Sequence, residues 1–180
     1  MEFELTKEQM DIKNAAREFA EKEFTSELGR RYDENYEFPW ELYRKAAKLG
    51  FIGGDLPEEH GGQGLGCIEA CTVNEEFNRV DSTCASLLCG VGFSALVPKF
   101  GTEEQKKKYL PPLAKGETMG VVAVTDPSGG SDVAGIKTSA KLEADQYILN
   151  GRKCFITNSH VSDHWVVIAR TGEGGRGLSA

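Results

Sequence analysis

The sequence predicts an α+β protein: an all-α helical N-terminal domain over residues 1–116, followed by an incomplete antiparallel β domain over residues 117–180. Three observations lead there. Apolar residues recur at helical spacing through the first half, with capping signals at the helix starts. From "TMGVVAV" onward the runs are short and rich in β-branched and aromatic residues. Only about 60 residues follow the boundary, too few to bury both faces of a sheet and cover its edges, so a piece of a longer protein is expected.

Taken in order, Thr6 opens a capping box with Gln9, and Ile12, Ala15, Ala16, Phe19 and Ala20 follow on one helical face. A second helix begins at Pro39, carries Leu42, Ala46 and Leu49 inward and stops at Gly50. The loop "LPEEHGGQGLG" leads into a third helix from about Cys67 to Arg79, on which Glu75 and Glu76 are expected to be solvated. Asp81 or Ser82 then caps a helix running to Pro98 that is apolar on nearly every side, the signature of a buried bundle element. Thr102 and Gln105 repeat the capping box before a helix expected to end ahead of Pro111 and Pro112. Strands are expected in "TMGVVAV", "QYILNG", "RKCFIT" and "HWVVIAR", with Asn150-Gly151 as a hairpin turn between two of them. The closing "TGEGGRGLSA" reads as a turn leading into a further strand.

Composition narrows the function classes. With 180 residues, 39% hydrophobic and 27% charged, the chain fills one domain and part of another. Its net charge of -7 argues against nucleic acid or an anionic membrane as the main partner, and "KKK" at Lys106 to Lys108 reads as a solvated helix face. Five cysteines without zinc-type spacing fit reduced thiols, with Cys67 and Cys71 packing on a shared helix face. No metal site is expected at His160 and His164, which flank a strand rather than share a helix face. The uncharged run from Ser82 to Pro98 is too short for a comfortable membrane span, and the acidic start is unlike an export signal, so a cytoplasmic protein is expected. Neither G-x-G-x-x-G nor a Walker lysine is present.

The stretch "TDPSGGSDVAG", Thr125 to Gly135, follows the first apolar β run. Its glycines leave the backbone open to a ligand and its hydroxyls can donate to phosphate or carbonyl oxygens, while the same composition also serves ordinary surface turns. The residues alone leave both readings open.

Four motifs in order add a more specific reading: "GFIGGDLPEEHGGQGLG" from Gly50, "KFGTEEQKKKYLPPLAKGE" from Lys99, "AVTDPSGGSDVAGIKTSA" from Ala123 and "YILNGRKCFITNS" from Tyr147. Together they resemble the N-terminal half of the acyl-CoA dehydrogenase family. The resemblance implies a helical domain and part of a middle β domain, without the family's C-terminal four-helix bundle. It implies FAD as cofactor. Thr125 and the backbone of Val122, Ala123 and Val124 would then hydrogen-bond the flavin ring, and Gly130 and Ser131 would meet the pyrophosphate or the CoA end of the substrate. Phe155, Ile156 and Thr157 would form the second flavin contact, where the family usually has Trp-Ile-Thr. A further departure is Asp126, where the family usually has Glu. Leu87, Leu88 and Phe93 would be candidates for the acyl pocket wall.

The implied reaction is α,β-dehydrogenation of an acyl-CoA thioester to the 2-enoyl-CoA in fatty acid metabolism, with an electron-transferring flavoprotein as acceptor. The family's base lies in the C-terminal bundle, so no residue here is a catalytic candidate and the chain alone is expected to be inactive. A homo-oligomer, dimer or tetramer, is implied, in the mitochondrial matrix if the source is eukaryotic. The alternatives are a related acyl-CoA oxidase or flavin monooxygenase, and a non-catalytic flavin-binding or interaction subunit.

Overall fold

The computed structural model describes residues 4–88 and 93–180. Helix α1 spans Lys7–Glu23 and starts at the expected capping box: the Gln9 N–H donates to Thr6 Oγ1 at 3.2 Å and the Thr6 N–H to Gln9 Oε1 at 2.9 Å. The sequence reading holds no counterpart to α2, Ser26–Asn35. Its segment is strongly polar, and Thr25 supplies the start by accepting the Leu28 N–H at 3.1 Å. Helix α3, Trp40–Lys48, buries Leu42 and Ala46, but Leu49 lies past its last turn and is 58% exposed, contrary to expectation.

Helix α4, Cys67–Val80, packs along α1. Phe19, Phe24, Phe51 and Phe77 form the centre of the core, with ring centroids 5.1 to 5.9 Å apart. Glu76 departs from its expected solvated state and is 1% exposed. Packing of α1 on α4 brings Arg17 over it, and Arg17 Nε and Nη2 each donate to its carboxylate at 2.9 Å while Arg79 Nε donates at 3.0 Å. A buried carboxylate tolerates desolvation only when so paired.

The helix expected from Ser82 to Pro98 crosses residues 89–92, which lie outside the described residues. On either side the chain is helical, as α5, Ser82–Leu88, and α6, Phe93–Phe100. Helix α7, Glu103–Ala114, begins at its capping box but runs through Pro111 and Pro112 instead of stopping before them. Proline's own φ is helical. Burial of Leu110, Leu113 and Ala114 holds the last turn, and both proline carbonyls accept, from the Lys115 N–H at 3.2 Å and the Glu117 N–H at 2.9 Å.

The β part is mixed rather than antiparallel throughout. Strand β1, Gly120–Ala123, pairs in parallel with β4, His164–Val167. Strand β2, Ser139–Glu143, pairs antiparallel with β3, Gln146–Asn150, and in parallel with β5, Ala169–Arg170, which pairs antiparallel with β6, Leu178–Ser179. The hairpin turn is Ala144-Asp145, not Asn150-Gly151, and "RKCFIT" forms no strand. Gly151 serves a close approach instead: a Cβ there would stand 2.5 Å from Thr138 Oγ1.

The two parts share buried surface. Met119 and Val121 belong to the helical core, and Phe93 of α6 lies so close over Gly120 that any Cβ would enter its ring. Asn158 Nδ2 donates to the Leu87 carbonyl at 3.0 Å, and the Met119 N–H to Asp163 at 2.9 Å. No helix among the described residues is long and apolar enough to cross a membrane.

Candidate cofactor site

The site grows from the end of β1. Val122 is half-buried and faces Val166 of β4, Ala123 is buried against Val167, and the chain then leaves the sheet. Val124 and Thr125 present their carbonyls sideways. Lys153 Nζ donates to the Val124 carbonyl at 2.6 Å, and the Cys154 N–H donates to the Thr125 carbonyl at 2.9 Å. These two bonds bring the segments around Thr125 and Phe155 side by side, although 30 residues separate them in the chain.

Asp126 holds this junction together. It is 3% exposed and accepts from Lys153 Nζ at 2.8 Å, the Lys137 N–H at 2.7 Å, the Thr138 N–H at 2.9 Å and the Thr138 hydroxyl at 2.8 Å. Burial pushes its pKa up, but the Lys153 ammonium and the three remaining donors outweigh that and hold it well below the usual carboxylate range. In the sequence Asp126 stands out only as an Asp where the family usually has Glu, because an aspartate inside a Gly, Pro and Ser loop looks like a turn former. Its partner at Lys153 lies 27 positions away, and no local pattern links the two.

Beyond Asp126 the loop turns back through the Gly129 N–H, which donates to the Asp126 carbonyl at 3.1 Å. That places Gly130 over Thr125, where a side chain would meet Thr125 Oγ1 and Cγ2 at 3.4 Å. Ser131 is exposed one residue further on, outside the hydrogen bonds that join the two segments. On the opposite segment Phe155 is 95% exposed with a left-handed φ of 57°, a conformation uncommon for an aromatic residue. Ile156 anchors it by packing on the helical core, Thr157 is exposed, and buried Asn158 is again left-handed at φ 59°.

Two hollows lie near the end of β1, and the larger of them reaches the junction at Val124. Leu88 and Phe93 line a cavity of about 130 Å³ with Tyr43, Val73 and Met119, whereas Leu87 is half-buried and meets Asn158 instead. A groove of about 820 Å³ runs between α6 and β4 past Val124, Phe100, Tyr109 and Trp165. The His164 ring leans against Tyr109 there, ring centroids 4.7 Å apart and planes tilted by 56°. Among the described residues no group of three His, Cys, Asp or Glu side chains is placed to hold a metal.

With this geometry in place, comparison with known proteins is decisive. Residues 6–117 match the profile of the acyl-CoA dehydrogenase N-terminal domain and residues 121–180 that of the acyl-CoA dehydrogenase middle domain. The chain belongs to the acyl-CoA dehydrogenase family. This acyl-CoA dehydrogenase family chain is 39% identical over 184 residues to the short-chain-specific acyl-CoA dehydrogenase of Clostridium acetobutylicum, covering 100% of the chain and 48% of that protein. It is 41% identical over 173 residues to the caffeyl-CoA reductase-Etf complex subunit CarC of Acetobacterium woodii, covering 94% of the chain and 46% of that protein. It also superimposes on the crystal structure of an acyl-CoA dehydrogenase complexed with FAD from Bacillus anthracis, with TM-score 0.83 and 40% identity, covering 93% of the chain and 29% of that structure. The chain spans about half the length of the curated relatives it matches.

Proposed function

We propose that this chain is the N-terminal portion of an FAD-dependent acyl-CoA dehydrogenase that converts an acyl-CoA thioester to its 2-enoyl-CoA. The observation that supports the reading best is the tie between the Thr125 carbonyl and the Cys154 N–H, since it joins two segments that share no local pattern into one surface. The donor set suits a flavin: a half-buried threonine left open by Gly130, and an aromatic ring standing free beside it.

In this reading Val122, Ala123, Val124 and Thr125 approach the polar edge of the flavin, Phe155 and Ile156 flank its ring system, and Thr157 adds a hydroxyl. Gly130 and Ser131 meet the pyrophosphate or the CoA end of the substrate. FAD, when bound, supplies the acceptor for the hydride leaving the substrate β carbon. This chain's part is to bind, orient and exclude water. Among the described residues no buried acid is free to take the α proton, because Glu76 is held by Arg17 and Arg79 and Asp126 by Lys153, Lys137 and Thr138. The base belongs to the remainder of a family-length protein.

The same reading assigns an electron-transferring flavoprotein as acceptor, in keeping with the Etf complex of the Acetobacterium relative. It also assigns a homo-oligomeric protein of fatty acid metabolism in the cytoplasm, and residues 1–116 and 117–180 as its helical and β domains. A polypeptide carrying this chain at the length of its relatives is expected to purify yellow and to bleach on anaerobic addition of an acyl-CoA. A colourless protein that ignores acyl-CoA overturns the reading, and oxygen consumption on turnover turns it toward an oxidase.

A further inference from the structure

Cys67 and Cys71 stand one turn apart at the start of α4, and both are exposed. The packing role expected from their shared face is not the one they have, because α4 buries Thr72, Val73, Glu76 and Phe77 instead. Their Sγ atoms lie 3.9 Å apart. Two sulfurs so placed can be joined to each other or to a third centre. On a helix, Cβ atoms four residues apart are about 5–6 Å from one another. A disulfide needs them within about 3.5–4.5 Å, so closing it would pull the first turn of α4 out of shape. Bridging by a third centre makes no such demand. Two sulfurs bound at about 2.3 Å to one centre sit about 3.8 Å apart if it is a tetrahedral cation and about 3.3 Å apart if it is a pyramidal trivalent one, at or a little under the separation already present.

We propose that Cys67 and Cys71 form a bidentate site for a single soft, thiol-seeking centre, the chemistry shared by trivalent arsenicals and soft divalent cations. Each thiol gives up its proton and forms one bond to the centre. With an arsenoxide the two protons leave with its oxygen as water, and no oxidant or reductant takes part. Cys84, by contrast, is buried in α5, out of reach of a centre that the exposed pair can meet.

The test is titration of the full 180-residue chain with phenylarsine oxide, followed by intact mass in excess 2-mercaptoethanol and then in dithiothreitol. One adduct per chain is expected, resistant to the monothiol, removed by the dithiol, and lost in both Cys67→Ser and Cys71→Ser but kept in Cys154→Ser. Peptide mapping should place the wild-type adduct on the segment holding both cysteines, a readout that needs no variant to fold. Cadmium forms the second arm, read by its thiolate charge-transfer absorption. Binding of the arsenical alone supports the site and restricts it to trivalent centres. An adduct stripped by monothiol, mapped elsewhere, or retained in both single variants overturns the proposal.

Discussion

The helical part of the molecule centres on a cluster of large apolar side chains buried among its own helices, although Tyr36, Leu49 and Phe100 face out, and the strands and loops of the β part leave many of theirs exposed. Four phenylalanines meet edge to face between α1, α4 and the segment after α3. On the β side, Leu142, Tyr147, Ile148 and Leu149 of the β2–β3 hairpin are all between 47% and 61% exposed, and Phe155 is 95% exposed. The helices are therefore held chiefly by apolar burial, and the loops of the β part by directed polar contacts. Among the described residues each part nevertheless buries one carboxylate, and those two acids show the difference most clearly. Glu76 is paired with arginine side chains that are 43% and 49% exposed, whereas Asp126 is surrounded by backbone donors and by Lys153, 9% exposed. Water can partly replace the first set of partners but not the second.

The sharpest way to break this comparison is to remove both acids in turn. Asp126→Ala leaves Lys153 buried without its partner and is expected to cost about 3–5 kcal/mol, read from the urea midpoint. Glu76→Gln should cost less, about 2 kcal/mol, because its arginines can turn to solvent. Equal losses would erase the distinction between the two regions.

Acid titration sharpens it further. Hydrogen bonding from Arg17 holds Glu76 down to about 2 from its ordinary value of 4.5, against burial and with help from Arg79. A carboxylate whose folded pKa is depressed stabilises the fold above its unfolded pKa, and that contribution is lost as pH falls through the folded value. Wild-type stability should therefore decline between about pH 4.5 and 2, and Glu76→Gln should flatten that decline.

Smaller effects probe local geometry. Gly151→Ala pushes a methyl onto Thr138 and is expected to cost about 1–3 kcal/mol, which thermal unfolding would detect. Thr102→Ala removes the cap of α7 and should cost about 1 kcal/mol by the same measurement. Phe155→Ala is the smallest in stability, within about 0.5 kcal/mol, because the ring touches so little of the chain. In a protein of family length the same substitution is expected to weaken FAD binding, measured by flavin fluorescence. A large stability loss with unchanged FAD affinity would make Phe155 a structural residue.

Much of this was legible in the chain itself. Both capping boxes sit where Thr6 and Thr102 announce them, since a cap is satisfied within four residues. The change from helices to strands was equally plain. Less legible were α2, whose polar segment shows little periodicity, and the path through Pro111, which depends on what the last turn of α7 packs against. Asn150-Gly151 misled because the glycine answers a distant neighbour, Thr138, rather than a turn. Of the site, the sequence named Thr125 and Phe155 through motif resemblance but contained no sign that Asp126 and Lys153 join them.

The sequence by itself determined the order of elements, the helix starts and the family motifs, because each depends on interactions between residues close along the chain. Only the tertiary structure decided that Glu76 is buried, that Cys67 and Cys71 are not, and that Asp126 ties β1 to the segment before Phe155. Burial and ion pairing between distant segments depend on which surfaces meet, and that is settled by packing rather than by local pattern.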